Sequence, residues 1–279
     1  MKRKVISILL AFLMISMTAC GSTEESSSSS NESPLKPSEM LMESKDSDSM
    51  AEKQTEGRNE SVSAQYAVGD IVLADGSIVK ETDLVTIDNS NVPIAVIAGF
   101  QEDGTAFGIG VHRSDIPLQW ASDDSAGYSA NFTNTVCTQK SEHDFLGDID
   151  GRDNWEAICS QDGEDTADAA VYYPTYHFVN TYAETYNLSG NVASGWYMPS
   201  IAELCDIYQN REAVNNSLQR IYGLDEGAAM NGLEINWYWS SSQAGAEDGY
   251  VWFVHYFNGY AGECPKNFTN VHVLAVRAF

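Results

Sequence analysis

The sequence predicts an α+β domain: antiparallel strands at both ends and helices between them. Three observations carry this. Two hairpin signatures open the domain, a strong helix start sits in its middle, and a strand-forming segment dense in aromatics, glycine and asparagine closes it. The order of elements, strands then helices then strands again, favours antiparallel pairing.

The first hairpin is Gly69 to Leu73 and Ser77 to Lys80 around Asp75-Gly76, a pair suited to a type I′ turn. The second is Pro93 to Phe100 and Ala106 to His112 around Glu102-Asp103-Gly104. Both have short β-branched runs, as strands require. From Ser114 to about Asp168 the pattern dissolves into a polar segment rich in Asp, Ser and Gly. Loops of that length carry function or lack structure.

Three helices are predicted next. Thr175 to Asn187 places Phe178, Val179, Tyr182 and Tyr186 on one stripe behind Pro174. Ser200 and Glu203 form an S-x-x-E capping box, and Ile201, Leu204, Cys205 and Tyr208 follow the i, i+3, i+4, i+7 spacing. Glu212 to Tyr222 buries Val214, Leu218, Ile221 and Tyr222. The chain then returns to strands at Tyr238 to Ser242 and Tyr250 to Phe257, turns at Asn258-Gly259, and ends on Val271 to Phe279.

The N-terminus reads as an export signal. Lys2, Arg3 and Lys4 precede an apolar run, Val5 to Met17, which is shorter than the roughly 20 residues of a membrane span. Met17-Thr18-Ala19-Cys20 resembles a bacterial lipobox, with Met17 in place of the usual Leu or Val. Residues 1–19 are then a signal peptide and Cys20 a lipidated N-terminus. Residues 20–65 form a Ser- and Glu-rich tether, Ser26 to Ser30 among them, with too little apolar surface to fold. Residues 66–116 form the hairpin region, and residues 117–279 the main domain. The expected location is a lipid-anchored cell envelope, at the outer membrane or cell surface.

Charge narrows the partners. Beyond the tether, thirty acids face eight bases. Nucleic acid needs Lys and Arg against its phosphates, so it is not an expected partner. Docking on anionic lipid is disfavoured for the same reason. Export permits disulfides, and Cys137, Cys159, Cys205 and Cys264 allow three pairings that sequence does not separate. No two lie at CxxC or zinc-finger spacing.

Several motifs together carry a resemblance. GWYMPSIAEL, YWSSSQ, the aromatic hairpin at Asn258-Gly259 and the terminal VRAF resemble bacterial C-type-lectin-like domains of the formylglycine-generating-enzyme type, which include the C-terminal domain of collagen-like adhesins. The match covers about Asn154 to Phe279. With the lipobox, NWEAIC and VLAVRAF, the chain is also similar to spirochaete surface lipoproteins, some of which carry a C-terminal segment rewritten by a diversity-generating retroelement. The resemblance implies a C-type-lectin-like fold of antiparallel sheets with two or three helices, preceded by hairpins. It implies a stable scaffold whose C-terminal side chains bind an external protein or glycan. Trp239, Ser240, Ser241 and Ser242 match the scaffold, as do Trp252, Phe253, Val276, Arg277 and Phe279.

The side chains between those positions are the candidate ligand-binding set: Asn236, Tyr238, Glu247, Asp248, Tyr250, His255, Tyr256, Asn258, Tyr260, Asn267, Asn270 and His272. Tyr offers rigid amphipathic area and Asn adaptable hydrogen bonding. Such residues also serve turns and strand edges, which is the better reading of any one of them taken singly. Binding through this set requires Asn236, Tyr238, Tyr250, His255, Tyr260 and Asn270 to share one exposed face.

Catalysis is not expected. The related enzymes use closely spaced cysteines to hold copper, whereas Cys205 and Cys264 stand far apart in sequence. The loop DFLGDIDGRDNWE holds Asp144, Asp148, Asp150 and Asp153, yet its glycine falls at position 4 of an EF-hand register that needs it at 6. A solvated acidic loop is the favoured reading, with calcium the rival. The calcium-dependent sugar motifs of animal lectins, Glu-Pro-Asn and Gln-Pro-Asp, are absent, as are HExxH and Gly-x-Ser-x-Gly. No cofactor is expected. The rival functions are a structural envelope lipoprotein and, below that, a carbohydrate-active enzyme.

Overall fold

The structure is a computed structural model that describes residues 65–233, 236–245 and 249–279. The chain divides into two units, and the second, Asn59–Phe279, contains all of these residues. The signal peptide, Cys20 and nearly all of the tether lie outside the described residues, as do Glu247 and Asp248.

Both expected hairpins form. Strands β1 (Ile71–Leu73) and β2 (Ile78–Val79) pair across Asp75-Gly76, and β3 (Pro93–Phe100) pairs with β4 (Ala106–Arg113) across residues 101–105. A third hairpin lies inside the segment read as a polar loop: β5 (Val136–Ser141) with β6 (Asp144–Gly147). Six α-helices follow among the described residues, more than the two or three expected. They are α1 (Asn154–Gln161), α2 (Ala169–Tyr172), α3 (Pro174–Asn180), α4 (Tyr182–Thr185), α5 (Ile201–Gln209) and α6 (Arg211–Leu224). The single helix expected over 175–187 is divided into α3 and α4 at Thr181, whose hydroxyl donates to the His177 carbonyl at 2.8 Å and competes with the helical ladder.

The remaining strands are β7 (Trp196–Tyr197), β8 (Trp237–Ala244), β9 (Tyr250–His255), β10 (Tyr260–Pro265) and β11 (Leu274–Ala278). They complete two sheets, ordered β2-β1-β3-β4-β11-β7 and β10-β9-β8-β5-β6. Among the described residues, all pairings between these strands are antiparallel except the short parallel contact of β5 with β8. The last strand therefore closes onto β4, and the end of the chain is stitched to its first large hairpin.

Helix α5 links the two sheets, touching β3 as well as β8 and β9. Its capping box is complete: Ser200 Oγ accepts from the Glu203 N–H and the Glu203 carboxylate accepts from the Ser200 N–H. Glu203 is buried and also accepts from the Tyr197 hydroxyl (2.7 Å), the Gly151 N–H (3.0 Å) and the Gln101 amide. Burial raises its pKa, and these donors offset the desolvation. The buried serines of β8 do similar work. Ser242 Oγ accepts from the Ile201 N–H, Ser241 Oγ accepts from the Asn154 amide, and the Ser241 N–H donates to the Pro199 carbonyl. These bonds fix α1 and α5 against a bulged stretch of β8.

A candidate binding face on the second sheet

The site follows from strand parity. In the β8–β9–β10 ladder Trp237 lies opposite His255, which lies opposite Tyr260; Trp239 lies opposite Phe253, which lies opposite Gly262. Side chains of paired residues share a face, so these six positions point one way. Tyr238, Val254 and Ala261 point the other way, into the core beneath α5.

What covers the first face decides its use. The segment from Leu118 to Phe132 lies over the Trp239 end. The Trp120 indole donates to the Ser240 carbonyl (3.0 Å), the Trp239 indole donates to the Leu118 carbonyl (2.7 Å), and the Leu118 N–H donates to the Val271 carbonyl. Lys266 fastens this cover from below. Its fully buried ammonium donates to the Gly127 carbonyl (2.8 Å) and the Ala130 carbonyl (2.7 Å), and lies 5.0 Å from the Trp120 ring centroid and 4.7 Å from that of Phe132.

The other end of the face is an aromatic array. Trp237 stacks on Phe253 at 4.6 Å and 5°, and on Phe268 at 5.8 Å and 29°. His255 meets Trp237 edge-on at 5.4 Å, and Tyr260 meets Phe253 edge-on at 6.1 Å. Phe257 (67 % exposed), Tyr260 (59 %) and Phe268 (36 %) present their rings outward. Gly262 leaves room for this array, because a Cβ there would lie 2.5 Å from the Tyr260 ring and 2.9 Å from the Phe253 ring.

The expected ligand-binding set is partly corrected. His255 is half-buried and Tyr260 exposed, both on this face. Asn236 immediately precedes Trp237, exposed Asn258 stands in the β9–β10 turn, and Asn267 and exposed Asn270 flank Phe268 in the chain. Tyr238 and Tyr256, expected to be exposed, are buried. Parity turns them into the core, where their rings meet at 4.9 Å and the Tyr256 hydroxyl donates to the Leu204 carbonyl at 3.0 Å. Tyr250 is half-buried against the same core. His272 turns away too: its Nδ1 lies 2.8 Å from Arg113 Nη1. The six residues required to share one exposed face do not share it.

Three aromatics of the array, Trp237, Phe257 and Phe268, were missing from the expected set. Trp237 was legible, because it stands two residues before Trp239 and therefore on the same face of a strand. Phe257 and Phe268 lie outside strands, and only the folded turns bring them near.

Elsewhere the chemistry is quiet. Cys137, Cys159, Cys205 and Cys264 are all free, and burial pushes the Cys137, Cys205 and Cys264 thiols up to about 12. Among the described residues no group of three or more His, Cys, Asp or Glu is placed to hold a metal ion, and no helix is long and apolar enough to cross a membrane.

Comparison with known families finds no matching model, and comparison with curated proteins finds no match. Among solved structures the chain is similar to a fimbrial protein from Bacteroides ovatus, with a TM-score of 0.52 and 15% sequence identity. The likeness covers 77% of this chain and 49% of that one, so the chain spans about half the length of that protein. At this identity the likeness is one of fold: a mixed α+β architecture.

Proposed function

We propose that this chain is a non-catalytic, surface-displayed binding protein that recognises a neutral glycan through the aromatic face of β8, β9 and β10. The reading rests on one observation, an array in which half-buried Trp237 and exposed Tyr260 and Phe268 surround buried Phe253 beyond the end of the Leu118–Phe132 cover. A sugar ring presents a flat C–H face to such rings and hydroxyls to the imidazole and amides around them. The strongly acidic domain disfavours a polyanionic ligand. The similarity to a fimbrial protein is compatible with display at a cell surface. Within the same proposal, Cys20 anchors the chain through lipid, the fold is a C-type-lectin-like scaffold, and the asparagines of the C-terminal segment are positions open to retroelement diversification. A protein ligand is the second reading, favoured by the exposure of Phe257 and Tyr260, residue types that anchor protein interfaces.

The test is an array of neutral polysaccharides probed with the wild-type chain and with Trp237→Ala. Binding should weaken by about tenfold in the variant, as expected for loss of one stacking aromatic. Equal binding by both proteins, or no glycan binding at all, removes the glycan reading. Capture of a defined surface protein that depends on Phe257 and Tyr260 would establish the second one.

A further inference from the structure

A cavity of about 350 Å³ opens on the first sheet, where the start of β3, the end of β4, the C-terminus of α4 and the loop after α6 meet. Its volume lies within the range of small-molecule sites. One wall is a flat pair: the His112 imidazole stacks on the Tyr186 ring at 4.1 Å and 12°. Val92, Ile94, Val111 and Leu188 supply apolar lining. The His112 strand position is fixed from behind, since its N–H donates to the hydroxyl of fully buried Tyr182 at 3.1 Å.

The charge of the cavity has one sign. Asp225 lines it, and its carboxylate is oriented by accepting from the Gly227 N–H at 2.9 Å. Asp115 lies near enough to act electrostatically on both His112 and Tyr186. Among the described residues no Lys or Arg lines the cavity. Burial lowers the His112 pKa, so at neutral pH the imidazole adds a flat surface without a positive charge.

We propose that this cavity binds a small organic cation with a flat apolar body, an arylalkyl ammonium by class, its ring against the apolar lining and its ammonium at Asp225, within the field of nearby Asp115. The aromatic wall attracts the cation through its ring faces and the carboxylates neutralise it. Neither contribution is available to an anion. The site is separate from the face on the second sheet, and its occupation does not depend on what that face binds.

Isothermal titration of the full chain with three near-isosteric probes tests this: 2-phenylethylamine, 2-phenylethanol and phenylacetate. The amine should bind one-to-one with a dissociation constant of about 100 µM, a value in keeping with a ligand of its size. The alcohol should bind at least about tenfold more weakly, and phenylacetate should give no saturable heat. Asp225→Asn keeps the acceptor for Gly227 and should weaken the amine about fivefold while leaving the alcohol unchanged. Thr185→Trp, at an exposed position on the rim, should abolish amine binding without changing the melting temperature. Absence of amine binding, equal affinity for amine and alcohol, binding of phenylacetate, or amine binding that survives Thr185→Trp would each overturn the assignment.

Discussion

Asp148 should make this domain more stable in mild acid than in mild base, and the structure sets the size of the effect. Burial pushes its pKa up to about 7, with the neighbouring charges of Asp153 and Asp150 acting in the same direction and a hydrogen bond from Asn154 opposing. Its Oδ2 and the Asn154 Oδ1 are buried acceptors without a protein donor. A proton on Asp148 removes the buried charge and turns one acceptor into a donor. A carboxyl whose folded pKa exceeds its unfolded pKa contributes stability that is fully present below about pH 4 and lost as pH rises through about 7. Raising the pKa from 3.8 to about 7 corresponds to at most about 4 kcal/mol. The group is partly exposed, and solvent screening reduces this to about 2 kcal/mol.

Asp148→Asn removes the titration while keeping the shape, and its amide can donate. Other groups also respond to pH. Glu203, whose pKa burial raises, adds to the same trend, whereas His112, whose pKa burial lowers, opposes it. The informative quantity is therefore the difference between variant and wild type in chemical denaturation at about pH 4 and about pH 8. The variant should be near wild type at the lower pH and about 2 kcal/mol more stable at the higher, or roughly 4 to 8 °C in melting temperature for a domain of this size. A difference that stays constant across the range, or a variant less stable in base, would refute the reasoning.

Lys266→Met should cost about 3 kcal/mol, because it leaves the Gly127 and Ala130 carbonyls without their buried donor and loosens the cover over Trp239. Denaturant titration measures this, and a cost below about 1 kcal/mol would show that the ammonium does not fasten the cover. Tyr256→Phe should cost about 1 kcal/mol through loss of the bond to the Leu204 carbonyl while leaving ligand affinity unchanged. Weakened binding with unchanged stability in that variant would return Tyr256 to the ligand-binding set.

Much of the scaffold was legible in the sequence because local chemistry determines it. Asp75-Gly76 places a two-residue turn between β-branched runs, and Ser200 with Glu203 completes a reciprocal cap in the folded chain. The β5–β6 hairpin was illegible for an equally physical reason. Only Cys137 and Phe145 of its strand residues are buried, so no alternation shows. Its turn uses His143 at φ 61° instead of glycine or asparagine. The division between α3 and α4 depends on a side-chain bond made by Thr181, a residue that most helices accommodate.

The proposed binding face lies in the segment the sequence singled out, but the expected set was populated by residue type, and type is the weaker guide in a strand. Tyr238 looks like a better ligand contact than Trp237, yet the pleat buries the first and leaves the second half-exposed. Parity alone is not sufficient either, because Trp237 and Trp239 share a face and only one is fully buried. The difference is the Leu118–Phe132 cover, drawn from the stretch whose sequence showed no strand or helix pattern. That cover is fixed by a lysine placed under its aromatics, so the extent of the exposed array is set more than a hundred residues away from the strands that carry it. Under the proposed function, selection on ligand affinity acts on two separate parts of the chain: Trp237 to Phe268 supply the rings, and residues 118–132 decide how many of them a ligand meets.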